Sequence, residues 1–324
     1  MTLNHCIMTV KEIFELRKQG RVEEAYEAIR PMYAVHKGKY TTLAMFWTAH
    51  DILKKRLKEK RTTEAVDIFK ALLRVLPAID DKDGRCHEAV MNSARFLGEE
   101  AQGFSTLQFV HDFGVEHFTE ADWQSMVPEP REGEPQDKRR FPLPSLAQRL
   151  LTQTFREVRR QPTVDHALMA APLLNEAIRR APHNKNNQRY LAFLYGIMGE
   201  RAKAADIYKR LLTRASDSWL YAELAALTDD PGHKAALLCQ AIVHQRQAQF
   251  RSGYHLQLAQ LLVDRDPSRA AYELQQCVAI RKAQGHPLTR EINGLLERLS
   301  GVTPAGAAAQ RDFYRRMAMK YGEK

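Results

Sequence analysis

The sequence has few of the residues from which disulfide frameworks and metal sites are built. It contains only four cysteines, Cys6, Cys86, Cys239 and Cys277, and no two of them have the spacing of a metal-ligand pair. Isolated cysteines usually serve as small buried apolar residues, and the low number of cysteines indicates a reducing compartment. The residues before Met8 are too few and too polar for the apolar region of a signal peptide. We therefore expect a cytoplasmic protein without a bound metal.

Motifs of the common enzyme classes are also missing. The sequence has no phosphate-binding glycine loop, no dinucleotide-binding glycine pattern and no nucleophile elbow. His87 and Glu88 begin a zinc-protease pattern, but Met91 stands where its second histidine would be. His111 and His117 flank a predicted helix end and do not share a helix face. These absences predict a protein that is not an enzyme and has no cofactor.

Long apolar segments are absent as well. No run of about 18 apolar residues occurs, so we expect no membrane-spanning helix. The hydrophobic fraction of 44% is nevertheless large enough for a substantial core, and the mean hydropathy is −0.47. The net charge of +10 and the isoelectric point of about 9.4 favour acidic partners, either a protein or a nucleic acid.

One pattern recurs along the chain: an alanine is followed, three or four residues later, by another apolar residue on the same predicted helix face. In the second half it repeats after 34 residues, and in the first half it follows a turn signal. The recurring positions are Ala170, Leu174 and Ala177, then Ala204, Tyr208 and Leu211, with Ala25, Ala28 and Ile29 and then Ala65, Phe69 and Leu72 in the first half. Gly20, Lys60 and Gly199 stand at the turns that precede three of these segments. The wider spacing of Ala25 and Ala65 predicts a longer connection around residues 34–41.

This pattern resembles the tetratricopeptide repeat. The resemblance is carried most fully by Leu191, Ala192, Tyr195, Gly199, Ala204, Tyr208 and Leu211. It implies an all-α fold in which antiparallel helix pairs stack into a right-handed superhelical array, a tetratricopeptide-like α-solenoid. An alanine early in the second helix lets the two backbones approach closely, and an aromatic residue one turn later packs over the contact.

Further helices are predicted where the repeat is weaker. Their predicted bounds are 85–99, 105–113, 219–227, 234–247, 254–263, 268–282 and 288–299, the last of which would cap the array. A stretch with five prolines, 127–144, is predicted to be a linker that is either solvated or folded onto the groove or onto a partner. It would separate an N-terminal array, 9–126, from a C-terminal array, 145–300.

The last segment, 303–324, is predicted to be a basic amphipathic helix. Thr303 and Pro304 fit its N-cap and first position, and Phe313, Tyr314 and Met317 lie among basic residues. We expect it to dock onto the final repeat. Contact with a partner or nucleic acid and binding to a membrane surface are the alternatives.

The resemblance also implies where a partner would bind, because the first helices of stacked pairs line a concave groove. On this register the groove residues are Trp47, His50, Lys54, Lys58, Asn186, Arg189 and Phe193. Cationic, aromatic and amide side chains suit an acidic extended peptide, although Trp47 and Phe193 would equally fit between neighbouring repeats. The leading hypothesis is a non-catalytic scaffold or adaptor that binds a protein or peptide segment in this groove.

The alternative hypothesis is a basic repeat protein that binds RNA or DNA directly or as a subunit of a nucleic-acid-processing complex. Two dense basic blocks could neutralise phosphates without sequence specificity. The residues of these blocks are Lys54, Lys55, Arg56, Lys58, Lys60 and Arg61, and then Lys138, Arg139, Arg140, Arg156, Arg159 and Arg160.

Overall fold

The computed structural model describes residues 8–127 and 141–321, and within these ranges the protein is helical. It contains α-helices, short 3₁₀ helices and one isolated β-bridge between Met126 and Leu143. The predicted all-α class is therefore confirmed for the described residues. The chain divides into two compact units, unit 1 (Met1–Ala181) and unit 2 (Pro182–Lys324). The predicted linker falls mostly on residues 128–140, which lie outside the described residues.

Unit 1 contains eight α-helices among its described residues, and consecutive helices pack against one another. They are α1 (Val10–Lys18), α2 (Val22–Val35), α3 (Lys39–Lys58), α4 (Thr62–Val75), α5 (Arg85–Glu100), α6 (Thr106–Phe113), α7 (Leu146–Arg160) and α8 (Val164–Arg180). The predicted start of α6 is confirmed, because the Ser105 side chain caps it by accepting from the backbone N–H of Gln108.

Unit 2 contains eight further α-helices in its described part. They are α9 (Lys185–Ile197), α10 (Arg201–Leu212), α11 (Ser218–Leu227), α12 (Pro231–His244), α13 (Ser252–Leu262), α14 (Pro267–Ala283), α15 (Arg290–Arg298) and α16 (Ala307–Tyr321). Helices α9 to α14 form three successive pairs whose apolar faces share one core. The predicted helices of this half are confirmed, with ends that differ by a few residues.

Three helix pairs, α1–α2, α3–α4 and α9–α10, are closed by the same turn. Gly20, Lys60 and Gly199 each adopt a positive φ, of 75°, 61° and 81°. In each turn the N–H of the following residue donates to the carbonyl five residues earlier, as when Arg21 donates to Leu16 at 2.9 Å. This pattern is the Schellman motif, which satisfies carbonyls at a helix end. The turns predicted at these three residues are confirmed.

Small residues allow the paired helices to approach closely. Ala25, Ala65 and Ala204 have no exposed surface, and each lies near the start of the second helix of its pair. Phe69 and Tyr208 lie one turn after two of these alanines and are 1% and 2% exposed. The predicted close contact at the alanine and the aromatic packing beside it are both confirmed.

Two predicted boundaries within the chain differ from the structure. The unit boundary follows Ala181 rather than the proline-rich stretch, because α7 packs against α5 and α6, and α8 packs against α6. A side-chain contact supports this arrangement: Gln153 Nε2 donates to the Arg95 carbonyl at 2.9 Å. The predicted long connection at 34–41 is wrong, because helices α2 and α3 occupy most of it.

The C-terminal helix also begins later than predicted. Helix α16 starts at Ala307, because residues 303–305 are held outside the helix by hydrogen bonds to the start of α14. Ser268 Oγ donates to the Thr303 carbonyl at 2.7 Å, and the N–H of Ala305 donates to the Ser268 carbonyl at 2.9 Å. Helix α16 then packs against α12, and its Gln310 and Tyr314 also donate to Glu273 of α14, so it contacts the last helix pair of the array as predicted.

Candidate partner-binding groove

A groove of about 430 Å³ lies between α3 and α5 in unit 1. Successive turns of the two helices present side chains that share this opening. They are Trp47, His50, Leu53, Lys54 and Leu57 of α3, and Arg85, Glu88, Ala89, Asn92, Ser93 and Phe96 of α5. The floor of the groove is mostly apolar, and its charged groups lie at the exposed edge.

The aromatic residues of the groove are held in place by their neighbours. The ring of Trp47 contacts the ring of His50 at 5.6 Å between centroids, and the guanidinium of Arg17 lies 5.9 Å from the Trp47 ring centre. Arg17 in turn donates to Asp51 at 2.7 Å, so its position is fixed by an ion pair. A pre-positioned aromatic surface of this kind lowers the entropy that is lost when a partner binds.

Phe96 is the most exposed aromatic side chain of the groove, with 43% of its surface accessible. The guanidinium of Arg95 stacks on its ring at 3.7 Å. This contact fixes one face of the ring and leaves the rest of the side chain open to the groove.

His50 is uncharged at neutral pH in this setting. Burial, and to a lesser extent the charge of Lys54, lower the pKa of His50 from 6.5 to about 4. A neutral imidazole offers one donor and one acceptor to a partner. The positive charge of the groove therefore comes from Lys54 and Arg85, which face a single carboxylate, that of Glu88.

The structure brings together three of the four groove residues predicted in this half. Trp47, His50 and Lys54 line the groove, whereas Lys58 lies further along α3 and is not part of its lining. The residues of α5 were not predicted. Arg85, Glu88, Asn92 and Phe96 follow one another at intervals of three or four, so their spacing shows that they share one face of the helix but not that this face lies beside α3.

The three remaining groove residues lie on α9, in unit 2. Arg189 donates to both carboxylate oxygens of Glu223, at 2.9 and 3.0 Å from Nε, and stacks on Trp219 at 4.1 Å. Burial opposes its charge, but the contact with Glu223 outweighs burial and raises the pKa of Arg189. Its charge is therefore already compensated within the unit. Asn186 is exposed and Phe193 is half-buried.

Most of the first basic block is neutralised by glutamates. Lys55 and Arg56 contact Glu23 at 3.0 and 2.8 Å, and these hydrogen bonds lower the pKa of Glu23. Lys60 contacts Glu100 at 2.8 Å, and Arg61 contacts Glu64 at 2.7 Å. Within the described residues, only Lys54 and Lys58 of this block lack a carboxylate within 4.0 Å.

The second basic block is described only in part. Lys138, Arg139 and Arg140 lie outside the described residues. Arg156, Arg159 and Arg160 are exposed near the C-terminal end of α7. The two predicted blocks therefore differ, because the first is covered by glutamates and the second includes exposed guanidiniums.

Within residues 8–127 and 141–321, no group of three or more His, Cys, Asp or Glu side chains could hold a metal ion. None of the helices in the described part of the chain is both long enough and apolar enough to cross a membrane. Cys86, Cys239 and Cys277 are free and buried.

These features define a helical protein built from repeated helix pairs. Its candidate groove lies between α3 and α5, each of which is the first helix of its pair. A family model described as "Domain of unknown function (DUF7017)" matches residues 188–320, which lie within unit 2. No curated protein matches the chain. One similar solved structure is a tetratricopeptide repeat protein from Parabacteroides merdae ATCC 43184, at 12% identity, with 90% of this chain and 97% of that chain covered. Its TM-score is 0.37, which is too low to assign a fold or a function to this chain.

Proposed function

We propose that this protein is a non-catalytic scaffold that binds an acidic, extended segment of a partner protein in the groove between α3 and α5. The observation that carries the proposal is the groove itself, where Trp47 and Phe96 lie beside Lys54 and Arg85. Paired aromatic and cationic side chains in a pre-formed groove are typical of peptide recognition.

The charge of the groove argues for an acidic partner. Lys54 and Arg85 are both exposed, and neither has a carboxylate within 4.0 Å among the described residues. Lys58 lies one turn beyond Lys54 and adds to the same positive edge. An aspartate or glutamate of the partner would compensate these charges, which is the role that Glu223 already fills for Arg189.

The size of the groove limits what the partner contributes. A volume of about 430 Å³ accommodates one or two large side chains, not a folded domain. We therefore expect a short motif with one aromatic or large aliphatic residue flanked by acidic residues. We expect a dissociation constant in the micromolar range for such a small contact, which corresponds to a binding free energy of about −8 kcal/mol.

The proposal is tested by fluorescence anisotropy with a pool of labelled peptides that carry three acidic residues and one aromatic residue. We expect Lys54→Glu and Phe96→Ala each to weaken binding about tenfold or more. Lys70→Glu is the matched control for the first variant, because Lys70 is exposed on α4 and is not part of the groove lining. Phe250→Ala, at another exposed phenylalanine, is the control for the second. Equal losses in variants and controls, or binding that neither groove variant changes, would refute the groove.

Nucleic-acid association is a second candidate, favoured by the exposed arginines of α7. It is tested by filter binding with single-stranded oligonucleotides across a range of salt concentrations. Lys54→Glu combined with Lys58→Glu should abolish binding if the first block contributes. Because four of its six residues already contact glutamates, we expect the first block to contribute little. The double variant should therefore weaken oligonucleotide binding less than Arg156→Gln combined with Arg160→Gln does.

A further inference from the structure

A second cavity, of about 410 Å³, lies in unit 1 where the end of α5, the start of α6 and the last two turns of α7 meet. Its polar wall includes Gln102, Gln153, Arg156, Arg160 and His166. Phe104 and Leu107 form an apolar wall beside these groups. The groove between α3 and α5 has a different lining, so the two cavities share no residue.

Both carboxylates in the cavity wall are already satisfied. Glu157 accepts from Ser105 Oγ at 2.6 Å and from the N–H of Thr106 at 2.7 Å, so it occupies the N-terminal end of α6. Glu99 accepts from Arg95 through both of its oxygens at 3.0 Å. The charge of Glu99 is therefore compensated by Arg95, whereas Glu157 keeps its charge and its oxygens are held by neutral donors at the start of α6, which is not free to bind an anion.

The two arginines of the wall are not compensated in this way. Arg156 and Arg160 are four residues apart on α7, so both lie on the same face of the helix. Within the described residues, neither has a carboxylate within 4.0 Å. Two like charges at this spacing repel each other, and the repulsion is relieved when an anion binds between them.

The remaining polar groups narrow the chemistry of the ligand. His166 Nδ1 lies 2.8 Å from the carbonyl of Gln161 and donates to it, so Nε2 of the neutral ring is an acceptor and does not itself donate to a phosphate. Gln153, 5% exposed, is held at the base of the cavity by its hydrogen bond to the Arg95 carbonyl. The main cationic donors of the wall are therefore the guanidinium groups of Arg156 and Arg160. Each is planar and forked, and together they match the geometry and the double charge of a phosphate dianion.

We propose that this cavity binds a phosphate monoester, with the phosphate held by Arg156 and Arg160 and the organic group against Phe104 and Leu107. The volume suits a small organic phosphate, because small-molecule sites begin at roughly 300 Å³. The proposal does not depend on the partner-binding groove, and either one stands if the other fails.

The test is calorimetric titration of the full chain with phenyl phosphate, inorganic phosphate and benzoate at low ionic strength. We expect phenyl phosphate to bind, inorganic phosphate to compete with it, and benzoate to bind at least tenfold more weakly. Replacing both arginines, Arg156→Gln with Arg160→Gln, should weaken phenyl phosphate binding by tenfold or more. Both residues are exposed, so the variant should keep the helical circular-dichroism signal of the natural chain.

The matched control is Arg210→Gln with Arg214→Gln. These arginines are also exposed and four residues apart, but they line neither cavity. Equal weakening in the control would show a general effect of net charge and overturn the proposal. Three other results would overturn it as well: no binding of phenyl phosphate, equally tight binding of benzoate, or an oligonucleotide that binds through both arginines and is not displaced by phenyl phosphate.

Discussion

Close helix contact in this protein depends on individual alanines with no exposed surface. Ala204 is the best example, because it lies in the first turn of α10 and is fully buried in the core of unit 2. Ala202, on the same turn, is exposed. The two alanines therefore separate the effect of helix propensity, which they share, from the effect of packing, which they do not.

We predict that Ala204→Arg destabilises the protein by about 3 kcal/mol or more, because a long charged side chain cannot fit at a close helix contact. Ala202→Arg, its control, should change the free energy of unfolding by less than about 0.5 kcal/mol. Urea unfolding followed by circular dichroism measures both. Equal midpoints for the two variants would mean that the register of α10 is wrong.

His50 links the candidate groove to the pH dependence of stability. Its pKa is lowered from 6.5 to about 4, first by burial and then by Lys54, while Asp51 opposes and Arg17 supports the shift. Between pH 6.5 and pH 4 the unfolded chain therefore binds more protons at this residue than the folded chain does. The free energy of unfolding consequently falls as the pH decreases through this window, by at most on the order of 3 kcal/mol from this group.

We predict that His50→Gln removes this part of the acid sensitivity, so that its stability falls less between pH 6.5 and pH 4 than that of the natural chain. Nuclear magnetic resonance titration of the imidazole should give a pKa near 4 for His50. Lys54→Met should raise this pKa, because it removes a neighbouring positive charge. A measured pKa of 6 or higher would contradict the burial of the ring.

Among the helices, α16 is held by a buried polar cluster that apolar packing alone does not explain. The carboxylate of Glu273 on α14 has no exposed surface and lies 2.6 Å from His255 on α13. Gln310 and Tyr314 of α16 both donate to the other oxygen of Glu273, at 2.5 Å. Burial and the Glu273 charge raise the pKa of Tyr314, so its hydroxyl remains a donor across the usual pH range.

We predict that Tyr314→Phe lowers the free energy of unfolding by about 2 kcal/mol, because a buried carboxylate loses a hydrogen bond. Tyr40→Phe is the matched control, since Tyr40 is 69% exposed and its change should stay within about 0.5 kcal/mol. Hydrogen exchange would add a local measurement, with faster exchange expected in α16. Equal stabilities of the two variants would show that the cluster does not hold the helix.

The same helices show which features the sequence could reveal. The turns at Gly20 and Gly199 were predictable because their signals are local: a glycine followed by an alanine five residues later. At Lys60 only the spacing to Ala65 carries the signal, because a lysine with a positive φ has no local signature. The start of α16 was not, because residues 303–305 are fixed by hydrogen bonds to Ser268, far away in the chain. A threonine and a proline look like a helix start whether or not such a contact exists.

The candidate groove shows the same limit. Trp47, His50 and Lys54 were predicted from the register of one helix pair. Arg85, Asn92 and Phe96 on the opposite wall were not predicted, because no local signal shows that α5 lies beside α3. The glutamates that neutralise Lys55, Arg56 and Lys60 come from other helices. The prediction from sequence therefore gave the first basic block more uncompensated positive charge than it has.

For the whole molecule, the decisive feature is where each compact unit ends. Helices α7 and α8 follow the proline-rich stretch in sequence but pack on α5 and α6, within unit 1. Phe155 and Val158 of α7 and Leu173 and Leu174 of α8 are almost fully buried. A fragment that stops at the proline-rich stretch would leave α5 and α6 without the helices that cover them.

We therefore predict that residues 1–181 form a soluble, cooperatively unfolding fragment and that residues 1–144 do not. The shorter fragment should bind a hydrophobic dye and unfold over a broad temperature range, because the faces of α5 and α6 that contact α7 are exposed to water. Residues 182–324 should also fold alone, because they contain their own core of buried residues from α9 to α15. Calorimetry and dye binding compare the three fragments. If residues 1–144 unfold as cooperatively as residues 1–181, the unit boundary lies at the proline-rich stretch after all.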